Sequence, residues 1–296
     1  MPLIGEIAAL ATAILWSGTS IVFTEASIRV GPIYVNVTRM FMALTYLTIT
    51  LLIMNVKIDL SFSQVSNLAV SGFAGLVIGD TFLFKAFRSI GARLSMLVMA
   101  LVPPMSALMA FIFLGERLSL PGIVGIIITV SGIALVILKR EEKPTSKYKI
   151  DSTGIIYALI GAAGQAVGLI FAKNAFNEGE MSGFLASFVR IAFAILIIYP
   201  LALLTNRYKN PIQIYMNDKR ALMFTAIGSV IGPYLGITFS MVAISHAKVG
   251  IASTIMATVP IIMLPMIRYY YKEKLSWVSI IGACIAVSGI SILFLF

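Results

Sequence analysis

Three charged residues stand inside long apolar stretches of this chain, and they are the first candidates for chemistry. Asp80 lies well inside the apolar stretch 66–87, and Arg39 and Arg190 each lie several residues inside another stretch. A charge in hydrocarbon costs roughly 2.5–3.5 kcal/mol even on a permissive insertion scale. Each of these side chains therefore needs a water-filled cavity or a partner.

Each charge has a functional and a structural interpretation. The Asp80 carboxyl could take up and release a proton or bind a substrate amine, or it could pair with a nearby base such as Lys85 or Arg88. Arg39 and Arg190 could line a cavity and hold a carboxylate, or their long stems could reach the membrane interface. The sequence leaves both alternatives open.

Aromatic, amide and thioether side chains in the apolar stretches are further candidates for lining a cavity, although such residues are also ordinary membrane core. With the three charges, the predicted lining set is Trp16, Arg39, Asp80, Met99, Gln165, Arg190, Tyr234 and Met256. No metal site is predicted, since the single His and single Cys offer no ligand cluster at metal spacing.

Prolines occur near the middle of two of the apolar stretches, at Pro103, Pro104 and Pro260. Proline removes a helical hydrogen bond and kinks the helix. The carbonyls that it frees need water, a neighbouring helix or a substrate at that depth in a membrane. The sequence predicts kinks that border a binding site and act as hinges; the alternative is that they only shape the packing.

Composition determines which elements must position these residues. Of 296 residues, 59% are hydrophobic and only 11% are charged, whereas a soluble domain carries about 25% charged residues. A bilayer core needs roughly 20 apolar residues per helix. The predicted spans are 4–28, 33–55, 66–87, 94–115, 118–138, 153–174, 182–205, 221–245, 249–271 and 275–296.

The chain repeats internally. Residues 94–139 overlay 251–296 with a constant shift of 157 positions, which pairs Pro103 with Pro260 and Glu116 with Glu273. Arg39 likewise matches Arg190. The division is 1–138 for the first repeat, 139–152 for a polar linker and 153–296 for the second repeat. Five spans per half is an odd number, so the fold class predicted is an all-α membrane protein with a 5+5 inverted repeat.

Two further sets of repeated residues are interpreted as structural. Glu116 and Glu273 precede predicted helices and favour their N-terminal dipoles. Small residues spaced four apart let helices approach closely in lipid. This second set comprises Gly75, Gly79, Gly228 and Gly232.

Several ordered motifs resemble the ten-helix EamA-type branch of the drug/metabolite transporter superfamily. They are Trp16-Ser17-Gly18, GDTFLFKAFRSIGA (79–92), Leu114-Gly115-Glu116-Arg117-Leu118 and GIVGIIITVSGIAL (122–135), with partial repeats in the second half. The resemblance implies secondary transport of small metabolites or amino acids, often outward, without ATP hydrolysis. The second half departs from the pattern in having Gln165 at the position that matches Trp16.

Together these features predict an exporter that works by alternating access, with Asp80 as the proton-coupling residue, in the plasma (inner) membrane. The expected partners are a small-molecule substrate and the lipid bilayer. No nucleic acid is expected, since the net charge of +10 suits anionic lipid headgroups. No cofactor and no enzymatic activity are expected. A lipid scramblase or a membrane partner protein is the alternative, and monomer and homodimer both stay open.

Two arguments disagree about orientation in the membrane. Lys and Arg are concentrated in the odd-numbered connections between spans, and the positive-inside rule would then place both termini outside. The family resemblance implies the reverse, with both termini in the cytoplasm. The sequence leaves the orientation open.

Overall fold

The computed structural model describes residues 3–114, 119–138, 151–247, 249–272 and 275–295. Within these ranges the regular elements are all helices. The structural interpretations of Glu116 and Glu273 lie outside the described residues, as does the linker up to residue 150.

The first half contains six α-helices and one π-helix. Their bounds are α1 Ile4–Val30, α2 Pro32–Ile53, α3 Phe62–Ser71, π1 Gly72–Gly79, α4 Asp80–Met99, α5 Val102–Leu114 and α6 Leu120–Leu138. Elements α3, π1 and α4 follow one another without a loop, but Gly91 inside α4 has φ 76° and ψ 170°. The chain changes direction there, and glycine suits the position because it adopts positive φ without a steric penalty.

The second half follows a similar plan. Its elements are α7 Ser152–Asn177, α8 Gly183–Leu204, α9 Pro211–Asn217, α10 Lys219–Ser229, π2 Val230–Gly236, α11 Ile237–His246, α12 Val249–Met256, α13 Val259–Tyr271 and α14 Trp277–Leu295. The π-helices π1 and π2 fall in overlapping parts of the two repeats, each ending within the small-residue runs that include Gly79 and Gly232.

Eight segments of the described chain are long and apolar enough to cross a bilayer. They are Ile4–Val30, Pro32–Ile53, Phe62–Met99, Leu120–Leu138, Ser152–Asn177, Gly183–Leu204, Lys219–His246 and Ile251–Tyr271. A helix satisfies its own backbone hydrogen bonds. A segment that crosses the hydrocarbon core needs this, because no water is available there to bond the backbone.

Capping side chains lie at the N-termini of several of these helices. Ser61 forms a capping box with Gln64 at α3, and the Asp151 carboxylate accepts a bond from Gly154 N–H at α7. Asp218 caps α10 by accepting a bond of 2.9 Å from Ala221 N–H. That bond lowers the pKa of the Asp218 carboxyl by more than burial raises it. Arg29 lowers this pKa further, so it lies below its usual value.

The two halves interlock through their first helices. Helix α1 packs against α10, α11, α12 and α13 of the second half, and α7 packs against α3, π1, α4 and α5 of the first. The last helices, α6 and α14, pack against each other. Each half thus contributes a helix to the surface of the other, so a space between the halves is lined by both.

The repeated glycines lie where helices come closest. A Cβ built on Gly164 or Gly168 of α7 would lie 2.9 Å from Gly79 Cα or 3.0 Å from Gly75 Cα in π1. In the second half, a Cβ on Gly228 would lie 2.3 Å from Phe23 Cε1 and one on Gly232 would lie 2.7 Å from Thr19 Cγ2, both in α1. Glycine at these four contacts therefore allows π1 to touch α7 and π2 to touch α1.

Helices break just before the predicted prolines, at matching places in the two repeats. Helix α4 ends at Met99 and α5 begins at Val102, while α12 ends at Met256 and α13 begins at Val259. Pro103 and Pro260 are each the second residue of the new helix. Proline is tolerated there because the first turn has no intrahelical acceptor for its missing N–H.

Candidate functional site

A cavity of about 170 Å³ lies between the halves. Its walls come from both repeats, and the two helix breaks border it: Ala100, Val102 and Pro103 on one side, and Ala257, Val259 and Pro260 on the other. Pro104 is not among the lining residues. Most of the surface is apolar, and the charged residues of the lining are Arg39, Asp80 and Arg190.

The structure places seven of the eight predicted lining residues around this cavity. They are Trp16, Arg39, Asp80, Met99, Gln165, Arg190 and Met256. They come from α1, α2, α4, α7, α8 and α12.

Tyr234 is the exception, since it is not among the residues that line this cavity. Its hydroxyl lies 2.8 Å from Thr50 Oγ1, and its ring packs against Tyr46 and Phe184. Gly232 and Gly236 face α1 across π2, so the residue midway between them projects to the opposite side, towards α2 and α8.

Asp80 pairs with Arg39, which reaches it from α2. A guanidinium Nη2 of Arg39 donates to Asp80 Oδ2, and the side chains of Arg39 and Asp80 are only 5% and 8% exposed. The suggested pairing of Asp80 with Lys85 or Arg88 is not what the structure has. Lys85 lies instead over the ring of Phe82, 4.4 Å from its centroid.

Two nitrogens of the Arg39 guanidinium donate hydrogen bonds, and two aromatic rings lie close to its central carbon. Its Nε donates to Asn36 Oδ1 at 3.0 Å, and its Cζ lies 4.7 Å from the Phe84 ring centroid and 5.4 Å from that of Phe23. With this burial its side chain does not reach the membrane interface. Sequence analysis missed Asn36, although its position three residues before Arg39 places it on the same helix face.

Gln165 is a second hydrogen-bond donor to the Asp80 carboxylate. Its Nε2 donates to Asp80 Oδ1 at 2.7 Å and to the carbonyl of Gly75 at 3.1 Å. Both oxygens of the carboxylate are therefore engaged. Gln165, which stands where the first half has Trp16, thus donates a hydrogen bond to the buried Asp80 carboxylate.

Arg190 is buried like Arg39, at 4% exposure, but its surroundings are poorer. Its Nη1 lies 3.5 Å from Met241 Sδ, a weak acceptor, and its Nε has no hydrogen-bond partner in the residues that the structure describes. The ion pairs found among the described residues are Arg29–Asp218 and Arg39–Asp80. In that part of the chain, then, Arg190 is a buried cation without an ion pair of its own, and Asp80, which interacts with its charge, is already paired with Arg39.

Gly75 makes room for this arrangement. A Cβ at Gly75 would lie 3.2 Å from Arg190 Nη2 and 3.4 Å from Gln165 Oε1. The absent side chain lets both polar groups approach π1, so Gly75 shapes the site as well as the packing of helices.

Comparison with known proteins agrees with the repeat. The profile of the EamA-like transporter family matches the chain twice, over residues 3–138 and 152–295. No curated protein sequence matches it. One solved crystal structure of a protein superposes with a TM-score of 0.68 over 97% of each chain, at 16% sequence identity. At that identity the likeness shows a shared fold.

Proposed function

The chain belongs to the EamA-like transporter family, a family of multi-pass membrane proteins, and from this premise we propose that it is a secondary transporter of small metabolites. The observation that carries the proposal is the cavity lined by both repeats, with buried charges and a helix break from each half at its border. Transporters built from repeats bind substrate where the repeats meet, beside discontinuous helices.

The proposed architecture has ten membrane crossings in a 5+5 inverted repeat. The turn at Gly91 supports counting 62–90 and 92–114 as separate crossings, and the α12–α13 segment is then the counterpart of the second of these. The proposed division of the chain is 1–138, a linker at 139–152 and 153–296. Because α1 and α7 pack on the opposite halves, rocking of one repeat against the other would open the cavity alternately to each side.

Saturable uptake is the expected result when the purified protein is reconstituted in liposomes with a labelled panel of organic acids, amino acids and neutral metabolites. Ala257→Phe is expected to abolish it, since Ala257 lines the cavity and a ring there fills the substrate's space. Val130→Phe is the matched control, because Val130 is exposed on α6. Both variants are checked for a monodisperse size-exclusion profile before assay.

Loss of uptake in the Val130→Phe control as well, or full uptake by folded Ala257→Phe, would contradict transport through this cavity. If folded wild-type protein moves no solute but moves labelled lipid between leaflets, the scramblase alternative replaces the proposal.

Proton coupling through Asp80 and an outward direction in the plasma (inner) membrane extend the proposal. Asp80 is the carboxyl among the residues that line the cavity. Protonation would remove the charge that holds Arg39, which gives a proton a way to alter the packing of α2 against α4.

Uptake by the wild-type protein is therefore expected to accelerate several-fold under an imposed pH gradient, and folded Asp80→Asn is expected to show no uptake under any gradient. The measurement is the initial rate at matched internal and external pH and under gradients of either sign. Saturable wild-type uptake that is indifferent to the gradient would rule out coupling and leave the transporter proposal standing.

A further inference from the structure

We propose that Arg190 binds the anionic group of the substrate and that the transported molecule is a small organic monoanion with an apolar body and no ammonium group. This inference rests on the proposed function, because it names the substrate class of the same cavity. The evidence for it is a difference between the two repeats in the residues that surround their matching arginines.

The two repeats carry the same arginine but different partners. Arg39 and Arg190 occupy matching positions, and Gly79 matches Gly232. The next residue is Asp80 in the first half and Pro233 in the second. The first repeat therefore supplies its own carboxylate to its arginine, whereas the second repeat has a residue that can neither accept a side-chain hydrogen bond nor carry charge.

The same difference recurs one helical turn before each arginine. Asn36 accepts the Arg39 Nε hydrogen at 3.0 Å, and the residue three positions before Arg190 is Ser187. Ser187 Oγ and Arg190 Nε are both buried without hydrogen-bond partners among the described residues. The shorter serine side chain does not bridge the gap that asparagine bridges, which leaves the second guanidinium with unused donors.

An unpaired buried guanidinium is costly, since a charge removed from water needs a counter-charge or hydrogen bonds. Two arginines and one aspartate give the described cavity lining a net charge of +1. One bound monoanion makes this site neutral. A bidentate oxyanion such as a carboxylate matches the fork geometry of a guanidinium.

Asp80 is a poor site for a substrate ammonium because Arg39 already balances its charge. Its Oδ2 accepts from Arg39 and its Oδ1 from Gln165. A zwitterionic substrate would leave the net charge of the lining at +1, whereas a simple monoanion would neutralise it. This distinguishes a monoanion from an amino acid.

Other parts of the cavity suit the remainder of such a molecule. Ser253 is among the lining residues, and its Oγ is buried with no hydrogen-bond partner in the described part of the chain, so a rotation of this hydroxyl towards the cavity would let it donate to a second oxygen of the anion. The other walls include Trp16, Phe87 and Met256. A cavity of 170 Å³ is close to the size that holds a benzene-sized molecule.

Binding can be tested apart from transport, in detergent, by thermal unfolding and by titration calorimetry. The probes are benzoate, phenylacetate and butyrate, each against its amide, together with phenylalanine as a zwitterion. At least one acid is expected to raise the unfolding temperature in a saturable way, while its amide and phenylalanine do not. Arg190→Gln is expected to weaken binding of that acid by about tenfold or more.

Two comparisons separate a binding role from a structural one. Arg190→Gln removes an unpaired buried charge, so without ligand it is expected to unfold at the wild-type temperature or above it. Arg190→Lys, which keeps the charge but loses the fork, is expected to bind with intermediate affinity. Arg207→Gln, at an exposed arginine, is the control and should bind the acid as the wild type does.

The inference is overturned if no acid stabilises the wild type more than its amide does, or if folded Arg190→Gln binds the acid unchanged. Transport of neutral or zwitterionic solutes without acid binding would sink this inference and leave the transporter proposal. Acid binding that depends on Arg190, in a protein that transports nothing, would sink the transporter proposal and leave the anion site.

Discussion

Asp80→Asn is expected to lower the free energy of unfolding by about 3–5 kcal/mol, because it leaves the buried Arg39 guanidinium without its counter-charge. The side chains of Asp80 and Arg39 are 8% and 5% exposed, so water cannot readily replace either partner. Asparagine keeps the size of the side chain, which restricts the change to charge and hydrogen bonding.

A double-mutant cycle separates the ion pair from the rest of the site. Arg39→Met with Asp80→Asn removes both charges, and the double variant is expected to be more stable than Asp80→Asn alone. The measurement is the shift in unfolding temperature in a single detergent. Asp59→Asn, at an exposed carboxylate before α3, is the matched control and should change stability by less than about 0.5 kcal/mol.

Strict additivity of the two single changes would show that Arg39 and Asp80 do not stabilise each other. Uptake is expected to be lost in both single variants and in the double variant, even where stability returns. Arg39 and Asp80 line the cavity, and restoring the fold does not restore the charges that a substrate would meet.

Gly125→Ala is expected to destabilise the protein by about 1–3 kcal/mol through overpacking of α6 against α14. A Cβ at Gly125 would lie 2.6 Å from Gly289 O and 2.6 Å from Leu293 N. Both atoms belong to the α14 backbone, so the helices must separate to admit the methyl group. Close contacts of this kind drive helix association in lipid, where burial of apolar surface gains little.

Gly18→Ala is the matched control, since Gly18 also lies inside a helix. The nearest atom to its added Cβ would be Ile231 Cδ1 at 3.9 Å, which is ordinary contact. Alanine is the better helix former by about 1 kcal/mol, so this variant is expected to match or exceed the wild type in unfolding temperature. Equal losses from Gly125→Ala and Gly18→Ala would contradict the contact argument.

The π-helices also explain why side-chain directions in the third and eighth predicted spans are hard to infer from sequence. A π-helix carries extra residues per turn, so it rotates the following faces relative to a regular α-helix. Asp80 directly follows π1, and its charge is met by Arg39 from α2. Tyr234 lies inside π2, between Gly232 and Gly236, which face α1.

The sequence by itself determined the membrane setting, the family and the residues that needed an explanation. The apolar lengths and the embedded charges are visible in short stretches of sequence, and the shift of 157 positions appears when the chain is aligned with itself. These features predict helices, the family and buried polar sites without three-dimensional information. The prolines marked the matching helix breaks for the same reason, because proline acts on its own helix.

Only the tertiary structure decided which residues meet. Arg39 and Asp80 are 41 positions apart, and Gln165 and Asp80 are 85 positions apart. Their contacts depend on how α2, α4 and α7 rotate and cross, which the glycine contacts of π1 and α7 set. For Arg190 the sequence also matters, since Pro233 stands where the first repeat has Asp80. Sequence predicts that a charge is buried; the packing of helices decides what, if anything, neutralises it.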